Sequence, residues 1–389
     1  MNKKSVFLTT LATSLIAVQS WCADPEPEMN KKQNVLPDLQ PLITHWHGEN
    51  YWFNGCAKHV MERLGEKDYD YWFFAGLTGD NFTQFYAFNG GFLGESLTDC
   101  KMSEKNHAFV EDIFAKCGYK AEFVPETELR ANREKYLRKT KEWIDKGVPV
   151  IRYWCGWHLV VGYEDDGETL LCMTSGDKDP YRVSADELFT GGEKHKDIFH
   201  RFGWFFVGEK TGSKELKNIY RDAIKNLPKV LATETETYCF GAAAFRAWAD
   251  DIEGGRFDAM TPEEFTGEKS WELYKNYVCN LATNSGGPCG FMKKAAELNP
   301  DFGFLKDVDK QYRTMGLLWN SQFKADDGFA DEYRREHGEL PDNLEDLGAG
   351  FNVTLGTLQD ADKRARTVAT IRKCAECMDE VARLLNANL

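Results

Sequence analysis

The sequence predicts an α+β domain followed by an all-α domain, and three observations carry that reading. Apolar residues recur at helical spacing between Cys56 and Lys146, in segments that end at Gly65, Gly118 and Gly147. Short apolar runs then take over, with Asp165-Asp166-Gly167 between two of them as a hairpin turn. Beyond Gly212 the strand signal gives way to amphipathic helical runs. Helices first and an antiparallel sheet second describe an α+β unit.

Each element has its own signal. Cys56 to Leu64 carries Ala57, Val60, Met61 and Leu64 on one stripe, with Asn54 as the expected N-cap and Gly65 as the stop. Ser103 to Cys117 and Thr127 to Lys146 read as the next helices. Strands are expected at Val148–Trp154, His158–Glu164, Thr169–Ser175 and Phe199–Glu209. Ser213 opens a helix with Leu216, Ile219, Tyr220, Ala223, Ile224 and Leu227 on one face, stopped by Pro228. Further helical runs lie near 239–253, 270–283, 304–323 and 363–386. The division is therefore 1–23 as leader, 24–44 as linker, 45–210 as the α+β domain and 211–389 as its helical companion.

The leader reading rests on Lys3 and Lys4 ahead of the apolar run 6–18, with small residues near 20–23. That is the pattern of a secretory signal peptide, too short to span a bilayer. It implies an exported protein, and no later segment reads as a membrane span. The net charge of −14 and the absence of a basic stripe argue against nucleic acid as a partner. Eleven cysteines are too few for a disulfide scaffold in 389 residues, although Cys279 and Cys289 flank a turn that would let them meet.

Cys56 is the leading candidate for chemistry. A thiol in the first turn of a helix faces unpaired N–H groups that favour its thiolate. His158, at the start of an apolar strand, is the candidate base. Asn50, six residues before the thiol, is the candidate oxyanion donor. Asp177 is the first choice for orienting the imidazole, with Asp179 behind it as a loop residue. Trp52 and Trp157 flank the site as candidate walls of a substrate groove. His45 and His47 lack a third ligand at suitable spacing, so no metal is expected, and no cofactor motif is present. Cys374 and Cys377 fall inside a helical run and read as packing.

Cysteine on a helix followed by histidine on a strand is the order of papain-like thiol enzymes. Asn54-Gly55-Cys56, Phe74-Ala75-Gly76-Leu77-Thr78-Gly79-Asp80, Lys146-Gly147-Val148-Pro149-Val150, Trp157-His158-Leu159-Val160-Val161-Gly162-Tyr163 and Tyr181-Arg182-Val183-Ser184-Ala185-Asp186-Glu187-Leu188 occur in that sequence. Over about residues 45–208 the chain resembles the bacterial family named for the butirosin side-chain acyltransferase, itself similar to double-glycine leader peptidases and papain. The resemblance implies a papain-like fold, Cys56 as nucleophile and His158 as base, acting on a peptide or small-molecule acyl substrate. The family's usual orienting aspartate falls near Ser175 here, which leaves Asp177 as its substitute. Hydrolysis of a peptide or amide is the expected reaction; transfer to an amine, or binding without turnover, are the alternatives.

Overall fold

The computed structural model describes residues 31–44, 49–88, 96–154, 156–190, 202–212, 214–275, 277–278, 288–319, 328–338, 344 and 346–389. The segment expected to be a signal peptide, the expected linker before residue 31, His45, His47 and Cys279 lie outside the described residues. The fold is mixed, an antiparallel sheet followed by helices, in the expected order.

The described residues form nine strands: β1 (Asn34–Val35), β2 (Phe85–Ala87), β3 (Tyr119–Pro125), β4 (Val150–Tyr153), β5 (Trp157–Glu164), β6 (Thr169–Thr174), β7 (Tyr181–Ser184), β8 (Gly203–Lys210) and β9 (Tyr238–Phe240). The main sheet runs β3-β8-β4-β5-β6-β7, with β1 beside β5, and every pairing is antiparallel. The hairpin between β5 and β6 forms at Asp165-Asp166-Gly167, where all three residues take positive φ. Asp and Gly tolerate that conformation better than most residues, which is why this turn was readable.

Helices α1 (Trp52–Arg63), α2 (Tyr71–Thr78), α3 (Leu97–Ser103) and α4 (Ala108–Lys116) precede most of the sheet; α5 (Glu126–Ala131), α6 (Arg133–Asp145) and α7 (Ala185–Thr190) are inserted between its strands. Two expected boundaries moved. Ser103 ends α3 instead of capping a helix, since Ser96 takes the cap with its hydroxyl on the Asp99 N–H. The run 127–146 breaks at Asn132, whose φ of −130° and ψ of 42° are not helical.

Helix α8 (Leu216–Leu231) runs through Pro228 instead of stopping there. Strand β9 and α9 (Gly241–Glu253) follow, and further helices include 289–298, 305–319 and 361–388. Cys374 and Cys377 are buried in the last of these and pack, as expected. Cys289 is a free thiol, so the pairing with Cys279 is not formed.

The two halves share a core. Strand β9 pairs with β2, in register Phe85↔Phe240 and Tyr86↔Cys239. Phe73 of α2 packs on Tyr220 of α8 at 5.6 Å between centroids, and Tyr220 on Phe291 at 4.4 Å. The Tyr312 hydroxyl donates to the Phe82 carbonyl at 2.9 Å. Any side chain at Gly76 would meet the Phe291 ring at 2.0 Å, so α2 and the 289–298 helix touch where only hydrogen fits. Residues 213–389 expressed alone are therefore expected to lack a cooperative melt, because they lose β2 and the α2 face they pack against. Circular dichroism against temperature checks this; a sharp helical transition in the fragment would show an independent core.

Candidate functional site

Helix α1 is capped three residues earlier than expected. Tyr51 is its N-cap, with no side-chain cap bond, and Asn54 sits inside the first turn. The Asn54 amide is used elsewhere: it donates to Asp80 Oδ2 at 3.2 Å and accepts from the Thr78 hydroxyl at 3.4 Å. Tertiary partners have overridden a local capping preference. Cys56 consequently lies in the second turn, past the orphan N–H groups of the helix start. Its side chain is fully buried. Burial pushes the thiol well above its ordinary range, opposed only by its own backbone N–H. The thiol is dry and neutral.

His158 is held on both sides of its ring. Nε2 lies 3.2 Å from the Trp154 carbonyl, and Nδ1 lies 2.9 Å from the Tyr181 hydroxyl. A carbonyl only accepts, so Nε2 carries the proton and Nδ1 accepts from the phenol. Burial first, then the charge of Arg152, lower the imidazole to about 4. The strand register explains Arg152: it stands opposite His158 across β4 and β5, and opposite Trp204 across β4 and β8. Directly opposed residues share a sheet face, so Trp204, Arg152, His158 and Thr174 form one row.

Alternation sends the neighbouring Trp157 to the other face, and there it meets α1 through Phe53, 4.7 Å between centroids. His158 thus sits on the sheet face turned away from Phe53, and no hydrogen bond joins it to Cys56. The field of Cys56 reaches the Tyr181 phenol, which burial above all holds above its ordinary range.

Asp177 does not reach the imidazole. Its Oδ2 accepts from the Thr174 N–H at 2.9 Å and closes the turn after β6. Trp157 is core, 2 % exposed, with its indole N–H on Asp99 Oδ1 at 2.8 Å. Trp52 is half-buried and lies against Gly156, whose φ of +140° and ring contact leave no room for a side chain. Asn50 is anchored by its backbone N–H on the Tyr71 hydroxyl at 3.0 Å, while its side-chain Nδ2 is buried without a partner among the described residues.

Two buried carboxyls stand nearby. Asp80 is fully buried and accepts from the Thr98 N–H at 2.9 Å, the Thr98 hydroxyl and Asn54; burial raises it to about 7. Glu126, at the start of α5, is 1 % exposed, with no hydrogen bond on either carboxyl oxygen among the described residues. Burial raises it too to about 7, against the pull of Arg152 and Arg130.

A carboxyl raised on folding contributes stability below its unfolded range and loses it as pH climbs through the folded value. His158, lowered on folding, contributes above its unfolded value and loses it as pH falls toward about 4. Between about pH 5 and 6.5 Asp80 and Glu126 make stability fall as pH rises, while His158 and His59, both lowered by burial, make it rise, so the quantity to read is the share that Glu126 contributes to the slope. Urea unfolding across that window measures it. Glu126→Gln should shift the slope of stability against pH in the rising direction, and an unchanged slope would show that Glu126 does not titrate there.

Tyr181 and Arg152 are the site residues that sequence reasoning missed. Arg152 had a signal, a lone charge inside the apolar strand run 148–154. Tyr181 had only its place after the turn at 175–180. Among the described residues no group of three His, Cys, Asp or Glu side chains is arranged to hold a metal ion, and no helix is long and apolar enough to cross a membrane. Compared with protein-family models and with curated proteins, the chain matches none.

Proposed function

We propose that the protein is an exported cysteine-dependent acyl-transfer enzyme of papain-like fold, hydrolysing a peptide or amide bond through an acyl-thioester on Cys56. The observation that carries the reading is Asn50 Nδ2, buried and without a partner among the described residues, six residues before the thiol. A buried amide donor without an acceptor is costly, and an oxyanion formed during acyl transfer would satisfy it. Cys56 Sγ attacks the acyl carbon while its proton passes to His158 Nδ1; the imidazolium then protonates the leaving amine. Water, activated by the same imidazole, releases the acid, and an amine in its place makes the reaction a transfer. Because the thiol is covered and neutral and His158 stands on the sheet face turned away from Phe53, this reading requires a rearrangement on substrate binding that uncovers Sγ, frees Nδ1 from Tyr181 and carries the ring to the face that α1 covers.

A binding protein without turnover is the second reading, and one observation favours it. The helical half holds a cavity of about 480 Å³ between the 289–298 and 305–319 helices, lined by Met292, Ala296, Leu305, Lys306 and Arg313. One experiment separates the two. The protein is incubated with amide and thioester substrates and analysed by intact mass, alongside iodoacetamide labelling at neutral pH. An acyl adduct on Cys56, or labelling that substrate protects, supports the enzyme. An inert Cys56 under both conditions leaves the binding reading.

A further inference from the structure

We infer that Tyr181 is the positioning residue of His158, taking the place that sequence reasoning gave to Asp177. The role rests on the acyl-transfer reading for its chemical use, while the geometry stands without it. Four observations support the assignment. The phenol lies 2.9 Å from Nδ1. The Trp154 carbonyl at 3.2 Å fixes the proton on Nε2, so the phenol has only one orientation, donating to Nδ1. Tyr181 is held in place by β7, where it pairs with Cys172 of β6. Asp177 is spent on the Thr174 turn.

The consequence is chemical. An acidic orienting partner on Nε2 would favour imidazolium, whereas a phenol donating to the Nδ1 lone pair favours the neutral ring. Arg152 from β4 pushes the same way. The other charged or titratable groups whose fields reach the phenol are Cys172 of β6 and Cys56 of α1, both buried and raised as thiols, and Asp177. Tyr181 therefore holds the neutral ring by its one basic atom, Nδ1, at the cost of a proton affinity lower than that of a free histidine. For Nδ1 to accept the Cys56 proton, the phenol must first give up its bond.

The test reads the imidazole directly. Ring 15N shifts of the full-length protein, assigned with a His158→Gln variant, are followed against pH in wild type and Tyr181→Phe. In wild type the Nε2–H tautomer is expected. In Tyr181→Phe the ring should lose that tautomer's dominance and titrate higher by about one pH unit, since a donor to the lone pair is gone. An Nδ1–H tautomer in wild type overturns the assignment, as does an unchanged titration and shift in the variant. If Tyr181→Phe fails to fold, the wild-type tautomer alone decides. Labelling of Cys56 is recorded in the same samples. A changed ring with an inert Cys56 removes the acyl-transfer reading and leaves Tyr181 in its role; an unchanged ring with a reactive Cys56 does the opposite.

Discussion

Cys56→Ser is expected to abolish turnover and also to lower the melting temperature by a few degrees. The activity loss follows from the mechanism, since a serine at this site has neither the thiol's acidity nor its nucleophilicity. The stability loss follows from burial. The side chain is fully enclosed and its sulfur has no hydrogen-bond partner beyond its own backbone N–H. A hydroxyl left unpaired in such a site costs about 1–3 kcal/mol. Cys56→Ala leaves only a small void and about 1 kcal/mol of cost, so it is the cleaner catalytic probe. Substrate turnover and thermal melts measured together check both halves. Turnover within about tenfold of wild type in the alanine variant would end the thiol mechanism. A serine variant that melts like wild type would show that water or a partner reaches the site.

Gly55→Ala is expected to destabilise the fold by about 3 kcal/mol or more, the largest single-methyl effect near the site. Helix propensity alone points the other way, because alanine is favoured over glycine inside a helix by about 1 kcal/mol. Geometry decides. A Cβ at Gly55 would stand 2.0 Å from the Leu42 carbonyl oxygen and 2.6 Å from its carbon, and backbone cannot yield as a side chain can. Relief requires the segment 36–44 to lift from α1. That segment buries Leu36 and Leu42, and it is tied by Leu42 and Ile43 N–H groups to the Ser175 carbonyl and by the Pro41 carbonyl to His59. Gly212→Ala is the control, with nothing within 4 Å of its would-be Cβ. Equal melting of the two variants would show that the close approach of α1 to Leu42 does not exist in solution.

Much of the architecture was legible because it follows from local chemistry. The Asp165-Asp166-Gly167 hairpin, the apolar runs of β4 to β6 and the amphipathic face of α8 all announce themselves within ten residues or so. Strands β2 and β9 did not. Each is three residues long, and each becomes a strand only because the other is beside it. The start of α1 was misjudged for a similar reason, since Asn54 had the right type for a cap but found Asp80 and Thr78 first.

The candidate site was readable as residue types and not as an arrangement. Alternation along β5 already put Trp157 and His158 on opposite faces. Which face α1 covers was decided only by the contact between Phe53 and Trp157. The partner of the imidazole was sought first at Asp177, and the structure has the Tyr181 phenol on the ring instead.

The ribbon of β2 and β9 bears on how the chain comes to be folded at all. Residues on the two strands are separated by most of the main sheet, so their pairing carries a large loop-closure cost and should form late. Until it does, the early segment presents Phe85, Tyr86 and Ala87 as an unpaired, apolar edge, the kind of surface that seeks the same edge on another chain. A polypeptide emerging from its N-terminus cannot cover that edge until residue 240 is available. Refolding yield should therefore depend steeply on protein concentration, and a binder that shields 85–87 should act on the folding chain while leaving the finished molecule untouched.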